Sequence, residues 1–217
     1  TRRIAHRIAT GTADARHTLA LTFTREAAGE LRRRLRWSGL RDAVEAGTFH
    51  SIALQLLRRR WADQSRRELT VVGDRRRLLA ELRSDVPLDV LATEADWAAA
   101  RGIDPDDYVR AARAVQRRGS IEPARIAEAL GAYETVKKRR GVVDLDDVLA
   151  LCAKEMANDR AFADAVRWRF RHLLVDEAQD LNPVQYRLLQ LLLGGREDLY
   201  LVGDPAQAIY GFNGADP

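Results

Sequence analysis

The stretch "LLVDEAQD" (173–180) decides how this chain is read. An apolar run that ends in two acids predicts a buried strand finishing in carboxylates. The run does not alternate, which suits a strand covered on both faces, as in a parallel sheet. Open α/β sheets bind ligands at the C-terminal ends of their strands, and Asp176 and Glu177 would sit there. Downstream, "LYLVGD" (199–204) repeats the pattern and places Asp204 at a second strand end. Upstream, "TLALTF" (18–23) and "AGTF" (46–49) read as further short strands. Helical patterns follow each of the earlier runs. Thr24 suits an N-cap ahead of the stripe Ala27, Leu31 and Leu35, and Ile52, Leu56 and Leu57 mark the next helix. Asn182 and Pro183 open a third over 182–193. Alternating strands and helices predict a parallel α/β sheet.

The middle of the chain differs. From Asp74 to Arg140 the pattern is helical, with no strand expected. Asp74, the pair Thr93 and Asp96, and Asp104-Pro105 read as helix starts. Ile126, Leu130 and Tyr133 mark a longer helix that stops at "KKRRG" (137–141). The expected division is therefore 1–73 and 141–217 as two parts of one α/β unit, with 74–140 an inserted all-helical unit. Ile4 and Ile8 suggest a helix at the start. In "DLDDVLALCAKEM" (144–156), Leu145, Val148, Leu149 and Cys152 should face inward, and Phe162, Val166 and Phe170 should line the helix after it.

The 217 residues are 46% hydrophobic and 31% charged, ordinary for a globular protein. No apolar run approaches the ~20 residues of a membrane span, and "TRRIAHRIAT" lacks a signal-peptide core. A single cysteine, Cys152, leaves no internal disulfide and no cysteine-based metal cluster. A soluble, reducing, cytoplasmic setting is expected, with no membrane partner. The net charge is +4, carried mostly by arginine, since lysine occurs only at 137, 138 and 154. That charge is compatible with nucleic acid without demonstrating it. The chain opens on Thr1 rather than Met, which reads as part of something longer.

The strand ends suggest a chemistry. Asp176 can hold Mg²⁺ directly or through water, and Glu177 can polarise a water aimed at a γ-phosphate. The plainer alternative is that both acids only favour the start of the next helix. In "VGDPAQAIYGF" (202–212), Gln207 beyond Asp204 offers a neutral amide for sensing phosphate. Tyr210 and Phe212 follow in a glycine-containing loop, where rings can stack on nucleic-acid bases or pack under the loop.

Five segments in order carry a resemblance: "LALTFTREAAGELRRRL" (19–35), "GTFHSIALQLLRR" (47–59), "VVDLDDVL" (142–149), "LLVDEAQDLNPVQYRLLQLL" (173–192) and "LVGDPAQAIYGFNGA" (201–215). Together they resemble motifs Ia and Ib, the D-F-x-D-L-L element, and motifs II and III of UvrD/Rep-type superfamily 1 DNA helicases. The resemblance implies a RecA-like 1A subdomain with a helical 1B insertion. It also implies a parent enzyme that uses Mg²⁺ and ATP to move 3′ to 5′ along single-stranded DNA. By the same resemblance Asp176 is the metal ligand, Glu177 the catalytic base and Gln207 the γ-phosphate sensor, with Asp204 beside the nucleotide. Thr22, Phe23, Thr24, Thr48, Phe49 and His50 would touch single-stranded DNA, on which Tyr210 and Phe212 would stack. Other partners would be a single-strand/duplex junction and the remaining 2A and 2B domains.

Departures from the family pattern are Arg25-Glu26, where Asn-Lys is usual, and Asn213, where Arg is usual. More consequential, no G-x-x-x-x-G-K-[ST] occurs, and none of the lysines follows a glycine. Without that loop the β- and γ-phosphates lose their cradle. The expected sheet is therefore incomplete, with an opened edge, and the chain alone should show little ATPase or unwinding. The alternative function is a stand-alone, degenerate module that binds DNA or a partner protein without turnover. A third reading, a nuclease using Asp176, Glu177 and Asp180, lacks an acidic-Lys core.

Overall fold

A computed structural model describes residues 1–40, 44–117 and 119–207. Its strands are β1 (Thr18–Thr22), β2 (Glu45–Thr48), β3 (Thr70–Val72), β4 (Val142–Asp144), β5 (His172–Val175) and β6 (Leu199–Leu201). Its helices are α1 (Arg2–Ala9), α2 (Arg25–Trp37), α3 (Phe49–Asp63), α4 (Arg75–Ala80), α5 (Leu88–Arg101), α6 (Pro105–Ala114), α7 (Pro123–Arg140), α8 (Leu145–Asn158), α9 (Arg160–Arg169) and α10 (Pro183–Leu193).

Four strands form an all-parallel sheet in the order β2-β1-β5-β6. Successive side chains on a strand point to opposite faces, and the core divides accordingly. Leu19, Leu21, Leu173 and Val175 face a large cluster built by α3, α8, α9 and α10. Ala20 and Leu174 face a smaller one with Ile4 of α1 and Leu31 and Leu35 of α2. Helices thus cover both faces, which is why these strands read as unbroken apolar runs.

A separate core of Leu78, Leu91, Trp97, Tyr108, Leu130 and Tyr133, among others, belongs to α4–α7. This helical region leaves and rejoins the sheet-containing part through β3 and β4, which pair in parallel with Val71 opposite Val143. Neither strand was expected: each is three residues long, and β3 is only partly buried, so no hydrophobic pattern announces it. α5 packs on α8 and α10.

Several local expectations hold. Thr24 caps α2 by accepting from Ala27 N at 3.0 Å, Asp74 caps α4, and Asn182 forms a reciprocal capping box with Gln185. Gly141 ends α7 in the left-handed conformation, at φ 64°. Two expectations fail. Thr93 and Asp96 lie inside α5, which opens after Pro87. Thr93 Oγ1 donates to the Asp89 carbonyl at 2.8 Å instead of capping. Leu145 begins α8 but is 38% exposed, whereas Val148, Leu149 and Cys152 are buried.

The two halves meet at a buried charge network. Lys137 of α7 reaches Asp147 at 2.6 Å, Glu134 at 2.7 Å and Asp144 at 3.5 Å. Tyr133 donates to Asp144 at 2.9 Å, and Arg75 of α4 pairs with Asp96, Asp144 and Asp146. Burial opposes ionisation of Asp144, but Arg75 and Lys137 outweigh it and hold the carboxyl below its ordinary value. Asp147 moves the other way, raised by burial and by the charge of Asp144.

At the sheet's far side, β6 has a strand partner on one side only among the described residues. Leu201 and Val202 are 52% and 50% exposed there. β2 is the edge strand at the other end of the sheet. Among the described residues no helix is long and apolar enough to cross a membrane.

Candidate functional site

β5 is central in the sheet, and its C-terminal end presents the two acids. Asp176 leaves the strand with its N–H donating to the Leu21 carbonyl at 2.9 Å. It is partly exposed, and its carboxylate has no side-chain partner among the described residues. A hard divalent cation takes such oxygen donors, and Mg²⁺ commonly uses one or two carboxylates with substrate phosphates completing its shell. The residues fit that mode and not an all-protein cage, because the described residues contain no group of three or more His, Cys, Asp or Glu able to hold a metal. Asp180 is buried at 8% while Glu177 is exposed, and among the described residues the three acids of the nuclease reading form no metal-holding group.

Glu177 adopts left-handed backbone geometry at φ 56°, unusual for a non-glycine residue. Only a short 3₁₀ turn, Ala178–Asp180, follows, and the Glu177 side chain does not cap it. The Glu177 carboxylate is therefore not engaged as a cap of that turn. It instead accepts from Gln179 Nε2 at 2.8 Å.

Beyond β6 the chain turns at Gly203-Asp204. Asp204 accepts from Ala206 N at 3.0 Å and from the Gln207 side-chain amide at 2.8 Å. Asp204 is thereby an organiser of the turn that holds Gln207. A Cβ on Gly203 would lie 2.4 Å from Gln179 Oε1, so only glycine permits this approach. Tyr210 and Phe212, together with Asn213, lie outside the described residues.

The C-terminal ends of β1 and β2 open into a groove of about 450 Å³ lined by Phe23, Arg25, Thr48, His50 and Leu145, among others. The six residues expected to touch DNA divide here. Thr24, Arg25 and Glu26 are exposed, and Phe23 and His50 are partly exposed. Thr22 and Phe49 are each 1% exposed and lie beneath the groove rather than on its surface. Phe49 faces the core as the first residue of α3, edge-on to Phe23 with ring centroids 6.3 Å apart. Thr48 is 7% exposed, and its hydroxyl oxygen accepts from Ser51 N at 3.2 Å in the α3 capping box.

His50 has Asp146 3.8 Å from Nε2, but Asp146 is already engaged by Arg75. Burial and the nearby Arg25 guanidinium push the imidazole below its ordinary value, so it is neutral around pH 7. Arg25 itself has no carboxylate or hydrogen-bond partner among the described residues. A free guanidinium, a neutral imidazole and hydroxyls suit a phosphate backbone without reading sequence. Sequence reading missed Arg25 as a contributor because it was noted only as a departure from a pattern. It also passed over Gln179.

The whole chain, residues 1–217, matches the family model "UvrD/REP helicase N-terminal domain". It is 39% identical to ATP-dependent DNA helicase UvrD2 of Mycobacterium tuberculosis, covering 100% of this chain and 34% of the relative. It is 31% identical to ATP-dependent DNA helicase Rep of Escherichia coli, with 100% and 33% covered. It is 30% identical to DNA helicase II of Escherichia coli, with 91% and 28% covered. The chain spans about a third of the length of the curated relatives it matches. The paired acids after β5, the turn after β6, the groove above β1 and β2 and the match over every residue agree: this chain belongs to the UvrD/REP helicase N-terminal domain family.

Proposed function

We propose that this chain is part of an ATP-dependent DNA helicase or translocase that couples ATP hydrolysis to 3′-to-5′ movement on single-stranded DNA. One observation carries the reading. The candidate nucleotide residues (Asp176, Glu177, Asp204, Gln207) and the candidate DNA groove lie beyond the C-terminal ends of adjacent strands of one sheet. Two ligands seated on one rigid sheet can sense each other through it.

In this reading Asp176 holds Mg²⁺, Glu177 orients and deprotonates the attacking water, and Gln207 senses the phosphate. Mg²⁺-ATP, when bound, supplies the scissile phosphoryl bond and neutralises its developing charge. Phe23, Thr24, Thr48 and His50, with Arg25, face single-stranded DNA or a junction, and Tyr210 and Phe212 stack on bases. Thr22 and Phe49 support that surface from below. The subdomain limits are 1–73 with 141–217 for 1A and 74–140 for 1B. The pairing of β3 with β4 at the two necks supports them. The 2A and 2B domains are partners in the complete enzyme. A DNA track and one buried thiol fit the cytoplasm.

The 217 residues contain no G-x-x-x-x-G-K-[ST], so the isolated chain is inferred not to turn over ATP. The same absence supports a second reading, a module that binds DNA or a partner without turnover. In the complete protein, Glu177→Gln should lower kcat by about 10²-fold or more, the usual contribution of a general base, while nucleotide binding persists. Wild-type turnover in that variant would refute the base assignment.

A further inference from the structure

We propose that Gln179 is a positioning residue that joins the Glu177 carboxylate to the Gln207 turn through one hydrogen-bonded relay; this rests on the proposed roles of Glu177 and Gln207. Gln179 is 6% exposed and uses both ends of its amide. Nε2 donates to Glu177 Oε2 at 2.8 Å, and Oε1 accepts from Asp204 N at 3.1 Å. Asp204 Oδ2 in turn accepts from Gln207 Nε2 at 2.8 Å. The chain Glu177–Gln179–Asp204–Gln207 is thus continuous.

The amide's orientation is fixed by chemistry. A backbone N–H can only donate and an ionised carboxylate can only accept, so oxygen must face Asp204 and nitrogen must face Glu177. Glutamate at 179 would put a second carboxylate against Glu177, and asparagine would be one methylene short. The backbone around the relay is rigid: Val202 N donates to the Val175 carbonyl at 2.8 Å and Ala178 N to the Val202 carbonyl at 2.9 Å. Gly203 leaves the space that the Gln179 oxygen occupies. Glu177, by contrast, is exposed and has left-handed backbone. Without Gln179 its side chain would sample several rotamers. Gln179 therefore fixes the direction of the carboxylate and makes that direction depend on where the Gln207 turn sits. A shift of the turn would release the base, and a seated turn would aim it.

The experiment uses the complete helicase with Gln179→Leu, the isosteric Gln179→Glu, and Gly203→Ala, whose new Cβ would meet the Gln179 oxygen at 2.4 Å and press on the Ala178 and Gln179 backbone nitrogens at 3.1 Å. Without nucleotide, hydrogen exchange at the Asp204 amide should speed up by about tenfold or more in Gln179→Leu and Gly203→Ala, the expected result of losing the partly buried bond that protects it. The Asp176 amide, bonded to Leu21, should keep its protection. With ATP and DNA, all three variants should lose about tenfold in kcat through misorientation, with KM for ATP within about twofold, and the DNA-stimulated to basal ratio should fall. Unchanged Asp204 exchange, or unchanged kcat, overturns the proposal. So does unfolding of both Gln179 variants, or a lower melting temperature with full turnover per folded molecule, since either marks a structural role. Glu177→Gln run in parallel separates the two readings. Turnover retained there refutes the base assignment itself. Turnover lost there but kept in the Gln179 variants refutes only the relay.

Discussion

Replacing Lys137 with methionine tests whether the charge network locks the helical region to the sheet-containing part. The Lys137 side chain is 4% exposed and lies within 3.5 Å of Glu134, Asp144 and Asp147. Methionine keeps much of the apolar stem, so the loss is mainly electrostatic. It leaves Asp144 and Asp147 facing each other without their shared cation. Removing one partner of a buried pair costs about 3–5 kcal/mol. Arg75 remains 3.5 Å from Asp144 and offsets part of this, so about 3 kcal/mol is expected. At roughly 2–4 °C per kcal/mol for a chain of this size, the melting temperature should fall by about 6–12 °C. The sign of the pH dependence follows from Asp144. Its folded-state value is depressed, so its contribution is present above the ordinary carboxylate value and is lost as pH falls through the depressed one. The variant lacks part of that contribution, and its deficit should shrink on acidification. Urea unfolding at pH 7.5 and at about pH 3, below the ordinary aspartate value, measures both effects. A loss below about 1 kcal/mol at pH 7.5, or a deficit that grows toward acid, would refute the assigned coupling.

Burial pushes the Cys152 thiol up to about 12, so alkylation at pH 8 should proceed only as fast as the chain unfolds. The raised value also means its contribution to stability is present below the ordinary thiol value and declines as pH rises above it. Arg25→Ala should weaken single-stranded DNA binding and reduce the salt slope by about 0.7, the value for one phosphate contact. An unchanged slope would remove Arg25 from the track. His50→Gln at pH 7.5 should leave the slope unchanged, because the imidazole is neutral there. Its depressed value also means its contribution to stability is lost as pH falls below the ordinary histidine range. Thr24→Ala should destabilise α2 by about 1 kcal/mol through loss of its cap, measured by thermal melts.

The sequence by itself determined the parallel α/β sheet, the placement of Asp176 and Glu177 just beyond a strand end, and most helix starts. These rest on local causes: apolar runs that must be covered on both faces, and caps that act within three residues. The strand expected over 199–204 instead ends at Leu201 and leaves Asp204 in the turn that follows. Thr93 and Asp96 show the limit of local signals, since a capping pair inside a helix looks the same as one at its start. What only the tertiary structure decided depends on groups far apart in the chain. β3 and β4 exist because residues 70–72 and 142–144 meet. Phe49 and Thr22 turned out to be buried because packing selects which residues of a motif reach the surface. Gln179 gained a role because Asp204, 25 residues away, presents its N–H to the same amide that holds Glu177. No spacing in "LLVDEAQD" encodes that contact; the distance between β5 and β6 in the folded sheet does.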